Sequence, residues 1–292
     1  MNRNTRFRRT FGVVFFAGCA CAFAQTAAPA EHPDTAFAPL EQWKNAVLRR
    51  DPVGLKMLYS TSPPAEVAAP GDQNTADAEV NFWIGLKAQQ MNLDVVETSS
   101  PQPAVEVIAF QAEVRSGEPP KGQTLYVTEA QVWQKQGEQW HLLNVKRTAA
   151  AHLKQPINKD KNIYRADVDA HAEIKEAEEK AGKANKRLLI VFGANWCYDC
   201  HVLDMAFQRP DLAPVLAASY EVVHVDIGEG NKNQDLMKDY QVPMKKGIPA
   251  LAVLESTGKL VVSQKNGEFE NARAMTPEAL LEFLNKWKPQ AR

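Results

Sequence analysis

The stretch Arg187-Leu-Leu-Ile-Val-Phe-Gly-Ala194 limits the fold more than any other part of the chain. It is a near-continuous apolar run of strand length. A strand with one solvated face alternates; one that does not alternate is covered on both faces, so its sheet needs helices on each side. The run leads straight into Asn195-Trp196-Cys197-Tyr198-Asp199-Cys200-His201. The pattern then predicts helices over 198–207 and 211–219, a strand over 221–227, a helix near 234–240 and strands over 250–256 and 260–264 around a turn at Gly258. A closing helix follows, with Thr276 as N-cap and Pro277 at its first position. A charged helix at about 167–184 precedes the apolar run. The order β-α-β-α-β-β-α around a mixed central sheet is an α/β domain, expected over 164–292.

Upstream the character differs. Residues 38–50 carry Leu40, Trp43, Val47 and Leu48 near helical spacing, and Asp51-Pro52 separates them from a short helical piece over 53–59. The stretch 62–75 reads as a loop from its Pro and Gly content. A third helix is expected over 76–91, with Val80, Trp83, Ile84 and Ala88 on one face. "AVEVIAFQAEV" (104–114) then alternates as a strand does. Residues 123–148 read as a β-hairpin turning at 135–138, with Trp133 and Trp140 on opposite strands. This gives a smaller α+β domain over 38–150, joined by a linker, 151–163, to the α/β domain.

The first residues bear on compartment. Arg3, Arg6, Arg8 and Arg9 precede the apolar run 11–23, and Ala22 and Ala24 place small residues where a signal peptidase cuts. A signal peptide over 1–24 and a flexible lead-in over 25–37 are expected, hence transfer across the inner membrane to the periplasm. Arg8-Arg9-Thr10-Phe11 also resembles a twin-arginine signal, and Phe16-Ala17-Gly18-Cys19 a lipoprotein box. Cleavage removes four arginines and no acid, so the formal charge moves from −1 to −5. A mildly acidic surface gives no reason to expect nucleic acid or anionic lipid as a partner; peripheral membrane association stays open. Cys19 and Cys21 leave with the signal, so only Cys197 and Cys200 stay. An exported chain with a disulfide framework carries more cysteines, widely spaced; one close pair points to chemistry.

Three readings compete for Cys197-Tyr198-Asp199-Cys200-His201. It is a redox dithiol, or a haem-attachment pattern with His201 as axial ligand and Met205 or Met244 opposite, or a set of metal ligands in a copper-binding chaperone or assembly factor. Haem attachment asks for neither the preceding buried strand nor the later "KGIPALAVL". His224, between valines on a strand, reads as packing rather than as a distant metal ligand.

The strand running into Trp196-Cys197-Tyr198-Asp199-Cys200, followed by "DYQV" and "KGIPALAVL", resembles the thioredoxin-like family over about 160–290, nearer to its exported reductase members. The resemblance implies a thiol–disulfide oxidoreductase acting on protein disulfides or dithiols, with an upstream redox partner and no cofactor beyond a Cys197–Cys200 disulfide. Cys197 would be the attacking thiolate, favoured by the N-terminus of its helix, and Cys200 the resolving thiol. Trp196 would shield the pair. Pro249 would follow a cis bond beside it, and Ile248, with Gly247 before it and Tyr198 between the cysteines, would meet substrate. The family's buried Asp, six residues before the first Cys, is here Val191. That departure turns attention to Asp204, one helical turn beyond Cys200, as proton acceptor. Asp199 would disfavour the Cys197 thiolate and His201 would favour it; a poorly stabilised thiolate tilts the expectation towards a reductase or interchange protein. Residues 228–247 are longer than the matching family segment, and Lys245-Lys246 there read as a solvated surface or as part of a partner-contact loop. The upstream domain resembles the nuclear-transport-factor-2-like cone by pattern alone. His141 and nearby acids there are read as satisfied surface or core residues, and the domain is expected to bind a partner, dimerise or orient the redox domain.

Overall fold

The computed structural model describes residues 37–71, 74–117 and 122–290, apart from the side chain of Met244. The expected signal peptide, and all but Phe37 of the expected lead-in, lie outside the described residues.

The first body starts with α1 (Ala38–Arg49) and α2 (Pro52–Met57). Arg50 turns left-handed between them, and the Asp51 carboxylate accepts the Gly54 N–H at 2.8 Å to cap α2. A short strand β1 (Glu66–Ala68) lies inside the expected loop. Helix α3 (Ala76–Gly85) is capped by Thr75, and β2 (Gln90–Gln102), β3 (Val105–Ser116), β4 (Gln123–Gln136) and β5 (Gln139–Arg147) follow. The sheet order is β1-β5-β4-β3-β2, antiparallel except for the parallel β1–β5 pair.

The third helix is shorter than the 76–91 expected from the sequence. It stops at Gly85, and Gln90 and Met91 belong to β2. Strand β2 is an exposed edge, buried only at Met91, so it carries no apolar period to announce it.

Helices and sheet enclose Trp43, Trp83, Trp133 and Phe110, all fully buried, with Trp43 and Trp83 edge to face at 4.8 Å. A polar chain runs through this core. Trp83 Nε1 donates to Glu129 at 3.0 Å, Gln131 Nε2 donates to Glu129 at 2.6 Å, and Trp133 Nε1 donates to Gln131 at 2.8 Å. Arg147 Nε reaches both oxygens of buried Glu79 at 2.8 Å. Burial, and the charge of Glu79 behind it, push the Glu129 carboxyl up to about 8.

The second body holds α4 (Ala170–Ala184), β6 (Arg187–Gly193), α5 (Tyr198–Phe207), α6 (Ala213–Ser219), β7 (Tyr220–Asp226), α7 (Gln234–Asp239), β8 (Ala250–Leu254), β9 (Leu260–Ser263) and α8 (Pro277–Trp287). The sheet order is β7-β6-β8-β9, with β6–β7 parallel and the other pairs antiparallel. Strand β6 is central, and its residues alternate between two cores. Leu189 and Val191 face α5, α6 and α8; Leu188, Ile190 and Phe192 face α4 and α7. That is why the run lacks alternation in hydrophobicity. As expected, Thr276 caps α8 by accepting the Ala279 N–H, and Pro277 opens it.

Residues 151–163, expected as a linker, contain no helix or strand, yet they are held. Ala151 exchanges both backbone hydrogen bonds with Tyr126, at 2.8 and 2.9 Å, and Leu153 is fully buried.

Candidate functional site

The site is assembled where β6 ends and α5 begins. Cys197 and Cys200 form a disulfide, with Cα atoms 5.3 Å apart. Cys197 is the N-cap of α5, and its sulfur accepts the Cys200 N–H at 3.1 Å. The cap thus puts this sulfur where the first free N–H groups of the helix point. The Ile248–Pro249 bond is cis. It brings the Ile248 carbonyl to 3.6 Å from Cys197 Sγ, close enough to accept from a free thiol. Gly247, at φ +86°, makes that approach; a Cβ there would meet Glu270 Oε2 at 2.7 Å.

Trp196 stands half exposed beside the pair, and its Nε1 donates to the Gly228 carbonyl at 3.0 Å. Asp199 is buried and engaged. Its carboxylate accepts the Arg273 backbone N–H at 2.9 Å and pairs with the Arg273 guanidinium. The same guanidinium lies 4.8 Å over the Tyr198 ring, and the Tyr198 hydroxyl donates to Gln155 Oε1 at 3.2 Å. Tyr198, Arg273 and Gln155, with Ala150 and Asn271, line a cavity of about 530 Å³ next to the dithiol. The Asp199 carboxylate, expected from the sequence to weigh on the Cys197 thiolate, is thus paired with Arg273, which is distant in sequence.

His201 is buried, and its Nε2 lies 2.8 Å from the Asn195 carbonyl, so that nitrogen carries the proton. Among the described residues no group of three or more His, Cys, Asp or Glu side chains is arranged to hold a metal ion. Asp204 lies further along α5, paired with Lys161 at 2.5 Å and accepting from Gln208 at 3.0 Å.

Sequence reasoning missed the segment that straps this loop. The Asn195 side chain accepts the Ile163 and Tyr164 N–H groups, both at 2.9 Å, and donates to the Tyr164 carbonyl at 2.7 Å. Lys159 donates to the Trp196 carbonyl at 3.0 Å. The Tyr164 side chain enters the core behind the cysteines, where its hydroxyl has no hydrogen-bond partner among the described residues. Burial, reinforced by the charges of Asp204 and Asp226, holds that phenol far above its ordinary range. The Tyr164 ring stacks edge-on against His224 at 5.4 Å, and burial lowers the His224 pKa. The only sequence signal was a lone Gly193 at the end of an otherwise bulky strand.

Residues 169–256 match a family model described as thioredoxin-like. A disulphide isomerase from Xylella fastidiosa Temecula1 is 35% identical, over 44% of this chain and 97% of its own, with a TM-score of 0.42. A ketosteroid isomerase-like protein from Erwinia carotovora atroseptica SCRI1043 is 12% identical over 38% of this chain and 90% of its own, with a TM-score of 0.32. An NTF2-like protein from Rhodospirillum rubrum ATCC 11170 is 20% identical over 38% of this chain and 94% of its own, with a TM-score of 0.31. The mixed sheet that carries the disulfide is thioredoxin-like, and the five-stranded region before it is similar in fold to NTF2-like proteins.

Proposed function

We propose that this chain, which belongs through its carboxyl-terminal domain to the thioredoxin-like family, is an exported thiol–disulfide oxidoreductase that reduces or exchanges disulfides in protein substrates. The observation that carries the reading is the Cys197–Cys200 pair at the start of α5, with the Ile248 carbonyl against Cys197. In the reduced protein, the Cys197 thiolate attacks a substrate disulfide. A Cys197–substrate bond forms and one substrate thiolate leaves. Cys200 then attacks Cys197 Sγ, re-forms the protein disulfide and releases the second substrate thiol. Two electrons pass from the dithiol to the substrate, and an upstream dithiol must restore them.

The direction rests on the surroundings of Cys197. Among the described residues its sulfur receives one backbone N–H and no cation, while Arg273 is occupied by Asp199. Modest stabilisation of the thiolate favours reduction or interchange over strong oxidation. The cavity beside Tyr198 supports a docking place for the substrate chain next to the reactive sulfur. Export rests on residues 1–24 alone, and the cone is assigned to partner binding or orientation of the redox domain.

Insulin reduction by the protein, with Cys197→Ser and Cys200→Ser as controls, tests the reading. Turnover abolished by Cys197→Ser, with mixed disulfides accumulating on Cys200→Ser, is expected. No turnover together with stoichiometric copper binding would replace an oxidoreductase with a metal-binding chaperone.

A further inference from the structure

Behind the disulfide, Gly193 leaves an opening that two other groups fill. A Cβ on Gly193 would stand 2.2 Å from the Tyr164 hydroxyl and 2.9 Å from Cys200 Sγ. The phenol and the resolving sulfur are therefore neighbours across a bare glycine. Both side chains are buried, and in the oxidised protein the hydroxyl has no acceptor among the described residues. A buried hydroxyl without a partner carries a cost in that state, and a state that supplies an acceptor is relieved of it. A disulfide sulfur accepts poorly; a thiolate accepts strongly. Opening the Cys197–Cys200 bond creates such an acceptor at this place. The Tyr164 backbone is meanwhile fixed by Asn195, which immediately precedes the Trp196-Cys197 pair, so phenol and dithiol are held by the same loop.

We propose that the Tyr164 hydroxyl donates a hydrogen bond to Cys200 Sγ once the disulfide opens, and so stabilises the resolving thiolate. The inference rests on the oxidoreductase reading above. In the resolving step the Cys200 proton is first lost to solvent, which later supplies the one taken up by the departing sulfur. The thiolate then forms its bond to Cys197 Sγ, the bond between Cys197 and the substrate sulfur breaks, and the departing sulfur takes up a proton. Tyr164 keeps its own proton throughout and acts only as a donor, consistent with the burial that opposes its ionisation. It occupies the inner side of the dithiol, where Val191 supplies no polar group. The other titratable or charged groups facing it are Asp204 on α5, His224 and Asp226 on β7, and Lys161 on its own segment. Asp204 faces Lys161 and Gln208, whereas the phenol adjoins the sulfur.

The test is the pH dependence of iodoacetamide alkylation at Cys200 in the full chain carrying Cys197→Ser, read on the Cys200 peptide by mass spectrometry. Tyr164→Phe keeps the ring and removes the hydroxyl. It should raise the alkylation midpoint by about one pH unit, roughly a tenfold loss of thiolate at a given pH. An unchanged or lowered midpoint overturns the proposal. So does a midpoint that moves in Asp204→Asn but not in Tyr164→Phe, which would give the role to the carboxylate. A second measurement needs no variant: the tyrosine ultraviolet resonance Raman doublet should gain donor character when the wild-type disulfide is reduced, and identical oxidised and reduced spectra would overturn the assignment. Neither measurement requires turnover, so failure of the parent reading shows separately, as absent insulin reduction by the wild type.

Discussion

Asp199 and Arg273 tie the first turn of α5 to the 3₁₀ turn over Ala272–Ala274, with the Asp199 carboxylate receiving both the backbone N–H and the guanidinium of Arg273. The carboxylate is buried and the guanidinium is half exposed. Removing the cation would leave a buried acid between the two cysteines with one backbone donor. Arg273→Met should therefore lower stability by about 1–3 kcal/mol. It should also raise the Cys197 thiol midpoint, by on the order of one pH unit at most. Adding Asp199→Asn should restore the midpoint. Alkylation profiles of the single and double variants, read at the Cys197 peptide, check this; an unmoved midpoint in Arg273→Met would show that the pair is structural only.

Gly193 is a point of close packing. Its missing Cβ admits the Tyr164 hydroxyl, and Tyr164 Cζ lies only 2.4 Å from the Cβ position. Ring and sulfur are both fully enclosed, so neither can swing into solvent. Gly193→Ala should cost about 1–3 kcal/mol by overpacking. Urea unfolding of the oxidised variant is the measurement, and a midpoint equal to that of the wild type would contradict the packing described.

The cone domain carries a pH dependence of its own. Glu129 has its carboxyl pushed up to about 8, while its ordinary value is 4.5; Glu79 is raised too, first by burial. The folded chain thus binds more protons than the unfolded chain between these values. Their contribution to stability is full below about pH 4.5 and is lost as pH rises through about 8. The loss should amount to a few kcal/mol. Glu129→Gln should flatten it, because the amide stays neutral and can still donate to Glu79, as the protonated carboxyl does. Urea midpoints at about pH 5 and about pH 8.5 decide the matter; equal slopes with pH in variant and wild type would exclude Glu129 as the source.

What could be read from the sequence was whatever local order encodes. The run 187–194 announced a central strand because both its faces are covered, and Cys197 with Cys200 announced the site because one helical turn separates them. Thr276-Pro277 marked the start of α8 through its capping chemistry. Strand β2 was hidden because an exposed edge has no apolar period. Arg273 and Tyr164 were hidden for another reason: 74 residues separate Asp199 from Arg273 and 31 separate Asn195 from Tyr164, and only the fold joins them. The charge of Asp199 meets its partner only through the fold. The segment over 151–163 looked like a spacer because its anchoring is by single residues, Ala151 and Leu153 in particular, and not by a periodic stripe.

Gly247 links loop geometry to the proposed chemistry. Its φ of +86° belongs to a region that side-chain-bearing residues rarely adopt, and Glu270 occupies the space a Cβ would need. Gly247→Ala should cost about 1–3 kcal/mol locally, and the backbone can relieve it by moving the loop. That movement would carry the Ile248 carbonyl away from Cys197 Sγ, now 3.6 Å distant. Since this carbonyl borders the sulfur that substrate must reach, insulin reduction should fall by about tenfold, the equivalent of some 1.4 kcal/mol in the barrier. The Cys197–Cys200 disulfide itself should still form, because α5 and its cap do not depend on the loop. Turnover measured beside thiol titration of the same sample separates the two effects. Normal turnover in a folded Gly247→Ala protein would mean that substrate does not use the Ile248 backbone.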